Sequence, residues 1–262
     1  MKTAVVTGST RGIGRAVAEA LLARDINVVI SSPDRLEAER VAATLPQVKA
    51  RAIGVGCDVT VVAEVEALGD RALDAFGGFE LWINNAGLAL TGPALTELPE
   101  AEFRRMLDIN LVGTMLGCQV AIGSYRARGT AGAVYNMLGA GADGRPVPHM
   151  IGYATSKAAV TFLTRALAEE MAGTNIRIGG LSPGLVITEG FLREHAKVTS
   201  AARPGREAVV NLIGDHPETI GRWAAQILDT NMENGRIFNW LSAEKIRRRR
   251  LGRARDILTR YA

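Results

Sequence analysis

Short apolar runs alternate along the chain with longer stretches in which apolar positions recur three and four residues apart. Apolar runs at residues 3–7, 27–31, 48–57, 80–84, 132–137, 176–181 and 236–241 predict seven strands. Helical spacing predicts helices at 15–23, after Ser32, and at 61–76, 103–125, 153–171 and 218–228, the last opened by Pro217. Strands and helices alternating at this spacing predict an α/β fold over residues 1–241: one doubly wound parallel sheet of about seven strands with helices on both faces. The chain shows no linker, repeat or low-complexity stretch. Residues 190–206 are more polar and lack a clear period, and are expected to form a short lid over the crevice. In the helix at 103–125, Met106, Leu107, Ile109, Leu111, Val112 and Met115 cover more than one face. That helix is therefore expected to be buried on two sides or to pack on another subunit.

Several strands end in small or polar residues, and open sheets of this kind bind ligands at the carboxyl ends of their strands. The first strand runs into Thr7-Gly8-Ser9-Thr10-Arg11-Gly12-Ile13-Gly14 and then a helix. Glycines there allow a tight turn and close approach of the backbone to a pyrophosphate, and the helix N-terminus offers unpaired N–H groups. The spacing is G-x-x-x-G-x-G, and the strand-to-helix context makes it a candidate dinucleotide site. The second strand ends in Ser31-Ser32-Pro33-Asp34-Arg35. Ser32 is placed to cap the next helix with Pro33 at its first position, which puts Asp34 inside the helix and away from a ribose. Arg11 in the glycine loop and Arg35 nearby favour NADP(H) over NAD(H), although Pro33 stands where a second basic residue would strengthen the case. Asp58, followed by Val59 after the third strand, either accepts a hydrogen bond from an adenine amino group or caps the next helix. The fourth strand ends in Asn84-Asn85-Ala86-Gly87, which reads as turn chemistry or as part of the same crevice.

Tyr153 and Lys157 stand four apart, so they share one face of their helix, about one turn apart. A free phenol has a pKa of about 10 and is a poor base at neutral pH, whereas an ammonium beside it favours the phenolate. The pair therefore suits proton transfer, although the same spacing arises on amphipathic helices without chemistry. Asn110 interrupts the apolar positions of its helix. It is either a satisfied core amide or a group that holds a water linking the lysine to solvent.

Composition narrows the classes. Cys57 and Cys118 are the only cysteines, with no C-x-x-C and no His/Cys cluster, so neither a disulfide scaffold nor a metal site is expected. No apolar run approaches the roughly eighteen residues of a spanning helix, and the first strand starts at once, leaving no room for a signal peptide. The cytosol is the expected compartment. The net charge of +4 is uneven: between Lys245 and Arg260 eight Lys/Arg face one Asp, leaving −3 for the rest. The body thus gives no case for nucleic-acid binding. Residues 242–262 are expected to form a basic helical extension, with Ile246, Leu251, Ala254, Ile257, Leu258 and Tyr261 opposite Arg247–Arg250, Arg253 and Arg255. Such a helix contacts an anionic membrane or a partner, or else stays a solvated surface or a packing arm.

Taken in order, the T-G-x-x-x-G-x-G loop, N-N-A-G, helical Asn110, Y-x-x-x-K and P-G-x-x-x-T (Pro183, Gly184, Thr188) resemble the motifs of the short-chain dehydrogenase/reductase family, from Thr3 to about Leu241. The resemblance implies a Rossmann-type fold, a nicotinamide cofactor and hydride transfer to or from a carbonyl or alcohol carbon. It implies Tyr153 as acid/base, Lys157 as the ribose ligand that lowers its pKa, and Asn110 in a proton relay. Val186 and Thr188 are then expected at the carboxamide and phosphate side of the cofactor, and a homo-oligomer, dimer or tetramer, is expected through the two apolar helices. The family usually carries a Ser about thirteen residues before the Tyr to bond the substrate oxygen; this chain has Ala140 by that count and Gly139 by the strand end. Backbone N–H groups of 139–141, His149, Asp143 or a water are the candidates to replace it. The segment Asn136-Met137-Leu138-Gly139-Ala140-Gly141 narrows the resemblance to the chlorophyll b reductase branch, implying NADPH and a bulky aromatic or tetrapyrrole-like aldehyde. Loss of the Ser also leaves open a dinucleotide-binding regulator with little catalysis.

Overall fold

The structure, a computed structural model, describes residues 1–46, 50–92, 94–196, 203–252 and 255–261. Strands β1 (Thr3–Val6), β2 (Asn27–Ser32), β3 (Ala52–Gly56), β4 (Leu81–Asn84), β5 (Gly132–Met137), β6 (Ile176–Ser182) and β9 (Ile237–Asn239) form one parallel sheet in the order β3-β2-β1-β4-β5-β6-β9. A separate parallel ribbon joins β7 (Leu185–Val186) to β8 (Gly214–Asp215). The single α/β domain is the doubly wound parallel sheet that the alternating pattern predicts. Strand order reverses beside β1, whose neighbours are β2 on one side and β4 on the other. The crevice at that switch point is where such sheets take ligands.

Both faces of the sheet are covered. Val6, Ile30, Ile83 and Leu181 pack with Val17 and Leu21 of α1 (Gly12–Leu22), Val41 of α2 (Arg35–Thr44) and Leu228 of α9 (Pro217–Thr230). On the other face Val5, Val29, Trp82 and Val134 pack with Leu68 of α3 (Val62–Phe76), Ile122 of α5 (Gly113–Arg128) and Ala168 of α6 (Ile151–Glu170). Alternate residues of the central strands thus enter opposite cores, which is why these strands read as continuous apolar runs.

Several boundaries differ from the sequence expectation. β3 starts at Ala52, and Val48 lies outside the described residues. The helix after β2 starts at Arg35, and its cap is Asp34, whose carboxylate accepts from the Glu37 N–H at 3.1 Å, rather than Ser32. The helix expected at 103–125 is longer and internally irregular: α4 (Glu100–Leu107), a π-type turn over Asp108–Val112, and α5. This continuous run, Glu100–Arg128, is by length and composition apolar enough to cross a membrane, contrary to the sequence expectation, yet 44% of its apolar window is buried, and α5 packs on α3, β4 and β5.

The stretch expected as an aperiodic lid contains α7 (Glu189–Ala196) and the start of α8 (Arg203–Ile213), while 197–202 lie outside the described residues. Among the described residues the tail is α-helical over α10 (Ala243–Leu251), followed by a 3₁₀ turn at Thr259–Tyr261. Arg253, Ala254 and Ala262 lie outside the described residues.

Candidate active site

The glycine loop closes on the end of β4. Gly8 and Gly12 have φ of +59° and +57°, the left-handed region that favours glycine. A Cβ on Gly8 would lie 2.8 Å from the Ala86 Cα, and one on Gly14 would lie 2.4 Å from the Asn85 Nδ2. Asn85 locks this contact by donating from Nδ2 to the Thr7 and Gly8 carbonyls, both at 2.9 Å. The Thr7 hydroxyl accepts from the backbone N–H groups of Asn85 and Ala86, both at 3.0 Å. Arg11 at the N-cap of α1 makes no side-chain cap, and the first turn holds no acidic residue. The exposed amide end of α1 therefore favours an anion, and a diphosphate fits this loop. Thr188 borders the same loop: a Cβ on Gly12 would lie 3.3 Å from its Cγ2. Val186 is buried on β7, and Thr188 caps α7 by accepting from the Phe191 N–H at 3.2 Å. Pro183 and Gly184 form the turn between β6 and β7.

At the other end of the crevice, α6 carries Tyr153 and Lys157. Lys157 is buried, and its ammonium donates to the Met137 carbonyl at 2.8 Å and lies 5.8 Å from the centre of the Tyr153 ring. No carboxylate among the described residues pairs with it. Burial pulls its pKa down from 10.5 to about 8, while burial pushes the Tyr153 phenol up to about 12. The phenol pKa is therefore raised by desolvation, against the lowering expected from the pairing.

Asn110 sits in the π-type turn and is fully buried. Its Oδ1 accepts from the Leu88 N–H at 2.7 Å, and its Nδ2 donates to the Leu88 carbonyl at 2.9 Å and to Ser156 Oγ at 3.0 Å. Both ends of the amide are thus satisfied within the protein, fastening the loop after β4 to α6. A Cβ on Gly87 would lie 3.4 Å from Asn110 Oδ1 and 3.7 Å from Lys157 Nζ, so Gly87 borders both groups. Turns of this π type interrupt helices most often at functional sites.

Gly139 faces the tyrosine. A Cβ there would lie 2.4 Å from the Tyr153 hydroxyl, so the space of a side chain at 139 is taken by the phenol itself. Ala140 follows in the same turn, which closes with Ala142 N–H donating to the Gly139 carbonyl at 3.1 Å. The two side chains considered as substitutes for the missing Ser are turned elsewhere. Asp143 is exposed and pairs with Arg145 at 3.4 Å, and His149 is exposed and linked through its ring to the Gly92 carbonyl at 3.2 Å.

At the adenosine side, Arg35 is exposed and pairs with Glu39 at 2.9 Å. Asp58 does not cap α3, whose N-cap is Val61; one of its oxygens accepts from Thr60 N–H and Oγ1 at 2.9 and 2.8 Å. Val59 is buried under the π-type turn, where a Cβ on Gly113 would meet its Cγ2 at 2.7 Å. Sequence reasoning missed Glu37. Its Oε2 accepts from Thr10 Oγ1 in the glycine loop and from Ser32 Oγ at the end of β2, both at 3.0 Å. The D-x-x-E spacing from Asp34 to Glu37 is the signal that would have found it, since a third-position Glu turns back over the helix start.

Comparisons with known proteins identify the family. The short chain dehydrogenase family profile matches residues 2–198. A 3beta-hydroxysteroid dehydrogenase 1 of Eggerthella lenta is 35% identical over 225 residues, covering 86% of this chain and 85% of that protein. The chloroplastic chlorophyll(ide) b reductase NOL of Oryza sativa subsp. japonica is 36% identical over 194 residues, 71% of this chain, and the chain covers 56% of that protein's length. Among solved structures, a short-chain type dehydrogenase/reductase from Mycobacterium marinum superposes with a TM-score of 0.80 at 27% identity, over 91% of this chain and 93% of that one. A 3-ketoacyl-(acyl-carrier-protein) reductase from Brucella melitensis complexed with NADH gives 0.78 at 27% identity, over 91% and 96%. The chain belongs to the short-chain dehydrogenase/reductase family, with a chlorophyll b reductase-like branch among its relatives.

Proposed function

We propose that this protein is an NAD(P)H-dependent carbonyl reductase or alcohol dehydrogenase in which Tyr153 moves the proton at the substrate oxygen. The observation that carries the reading is the pair of half-buried Tyr153 and buried Lys157, beside Gly87 and Gly139 and with no carboxylate among the described residues paired to the ammonium. A bound nicotinamide would supply the hydride. With its pKa near 12, Tyr153 is protonated at neutral pH and is set to donate to a carbonyl oxygen that gains charge during reduction. Lys157 carries its charge below a pKa of about 8 and favours the phenolate left behind. The 139–141 backbone, with no side chain between Gly139 and the phenol, leaves substrate contacts to peptide N–H groups. Missing one preorganised donor typically slows the chemistry by about 10²–10³ without abolishing it.

The names of the relatives, a hydroxysteroid dehydrogenase and chlorophyll(ide) b reductases, support a bulky ring-bearing carbonyl or alcohol, of which a tetrapyrrole-like aldehyde is one form. Cofactor choice has support on both sides. Arg11 and Arg35 favour NADP(H), the preference read from the sequence. The Glu37 carboxylate between Thr10 and Ser32 favours NAD(H), because it would accept from a ribose hydroxyl and repel a 2′-phosphate. A homo-oligomer is supported by the exposed Met115 and Phe162 on α5 and α6. Arg247, Arg248 and Arg250 of α10 remain exposed and are the groups left for an anionic surface. The two free, buried thiols suit a reducing compartment such as the cytosol.

Single-turnover absorbance at the nicotinamide band, with NADH and NADPH and a panel of polycyclic aldehydes and ketones, tests the reading. Oxidation by the native protein and its loss in Tyr153→Phe, with cofactor binding retained, support it. Equal rates in the two proteins remove Tyr153 from the mechanism. Binding without any oxidation favours the regulator.

A further inference from the structure

The basic tail is not a free amphipathic helix. Its arginines converge on Asp215, which is 5% exposed at the end of β8. Arg249 grips both carboxylate oxygens at 2.8 and 2.7 Å, Arg255 reaches one at 3.1 Å, and the indole N–H of Trp240 donates to the other at 2.6 Å. Arg255 also donates to the Gly214 carbonyl at 2.8 Å. Ile257 is buried with Ile187 and Val210, and its N–H donates to Asn211 Oδ1 at 3.0 Å. The Tyr261 hydroxyl donates to the Ile187 carbonyl at 3.4 Å.

What the tail holds is the ribbon next to the glycine loop. Val186 pairs with Asp215 in register, and the Ile187 N–H donates to the Asp215 carbonyl at 2.9 Å. The next residue, Thr188, lies against Gly12. A continuous path therefore runs from the tail arginines through Asp215 and β7 to the anion-binding end of α1. The ribbon itself has only two residues in each strand, too short to be rigid alone. Arg249 reaches both oxygens from the one nitrogen Nη2, and Arg255 adds a second guanidinium; charge-assisted bonds of this kind to a buried carboxylate are stronger than neutral ones.

We propose that Asp215 is a positioning residue: clamped by Arg249, Arg255 and Trp240, it presses Val186–Thr188 against the glycine loop, so that the C-terminal segment sets the affinity for the dinucleotide. The inference rests on the dinucleotide reading of that loop. It is tested by measuring Kd for NADH and NADPH by nicotinamide fluorescence in the full chain, alongside thermal unfolding, for the native protein, Asp215→Asn, Arg255→Gln and Tyr261→Phe. The expected result is a Kd at least fivefold higher in Asp215→Asn and two- to threefold higher in Arg255→Gln, with kcat at saturating cofactor within twofold of native. Lower melting temperatures with Kd unchanged in the folded variants would make the clamp a stabilising contact only and overturn the proposal. Should Asp215→Asn not fold, Arg255→Gln and Tyr261→Phe decide the matter by the same criterion. A native protein that binds neither nucleotide defeats the dinucleotide reading itself, an outcome separate from unchanged Kd values.

Discussion

Two buried charges, Lys157 and Asp215, are handled in opposite ways. Asp215 is surrounded by two guanidinium groups and an indole N–H, so its charge is compensated on every side the tail reaches. Among the described residues Lys157 has one backbone carbonyl at 2.8 Å and no opposite charge paired to it, and burial lowers its pKa to about 8. The first arrangement makes a rigid joint. The second leaves an ammonium free to answer a charge that arrives with ligand or develops on the phenol. Compensated burial supports structure, and uncompensated burial stores free energy where chemistry uses it.

The largest effect expected from breaking this contrast is on turnover. Lys157→Met removes the charge that favours the Tyr153 phenolate, and general acid–base assistance is typically worth about 10²–10⁴ in rate. Turnover should fall by roughly that factor, measured as kcat at saturating cofactor with any aldehyde the native protein reduces. Retained turnover would show that the buried ammonium is not used.

Next in size is the stability response, which should have opposite signs at the two sites. Asp215→Asn leaves two arginines facing a neutral amide, and breaking a buried ion pair costs about 3–5 kcal/mol. Lys157→Met should instead stabilise the ligand-free protein by up to about 3 kcal/mol, the equivalent of the drop from 10.5 to about 8. Denaturant unfolding of both variants at neutral pH checks this, and a loss of stability in both would erase the contrast.

The pH dependence sharpens the same point. Lys157 binds its proton less tightly in the fold than in the unfolded chain, so between about 8 and 10.5 the unfolded state holds more protons and native stability rises with pH. The advantage of Lys157→Met should therefore be full below about pH 8 and gone above about pH 10.5. Cys57 and Cys118 act in the other direction. Burial raises both thiols from 9.0 to about 12, so their contribution is full below pH 9 and is lost as pH climbs towards 12. Only the difference between variant and native protein isolates the lysine.

The same contrast explains what could be read from the chain. Tyr153 and Lys157 were legible because an i, i+4 pair is local, and the strands were legible because each apolar run is short and stops near a small or polar residue. Asp215 left no local trace: its partners Arg249 and Arg255 stand 34 and 40 positions away, and a long-range ion pair has no period. The tail accordingly read as a basic helix for a membrane or partner, or as a solvated or packing arm, with nothing to show that two of its arginines turn inward to Asp215. The π-type turn at Asn110 was hidden as well, because one extra residue in a helical turn changes no residue type. The start of the second helix was misplaced at Ser32 for a different reason, since Ser and Asp both cap well and the Asp34-to-Glu37 spacing is what separates them.

Glu37 carries the smallest expected effect and tests whether the adenosine end resembles the compensated or the uncompensated site. Its carboxylate is held by two hydroxyls at 3.0 Å, and no arginine or lysine among the described residues pairs with it. Like Lys157, it is thus a charge positioned by dipoles and not neutralised by a counter-charge. A ribose diol would donate to it, whereas a 2′-phosphate would bring about −1.5 to −2 of like charge against it. Glu37→Gln keeps the shape and removes the charge, so it should shift the NADPH to NADH affinity ratio towards NADPH by about tenfold, or about 1.4 kcal/mol. Competition by adenosine 2′,5′-bisphosphate against adenosine 5′-monophosphate isolates this end from the nicotinamide. A ratio that does not move would return the choice to Arg11 and Arg35, which reach a 2′-phosphate only if Arg35 leaves its pairing with Glu39.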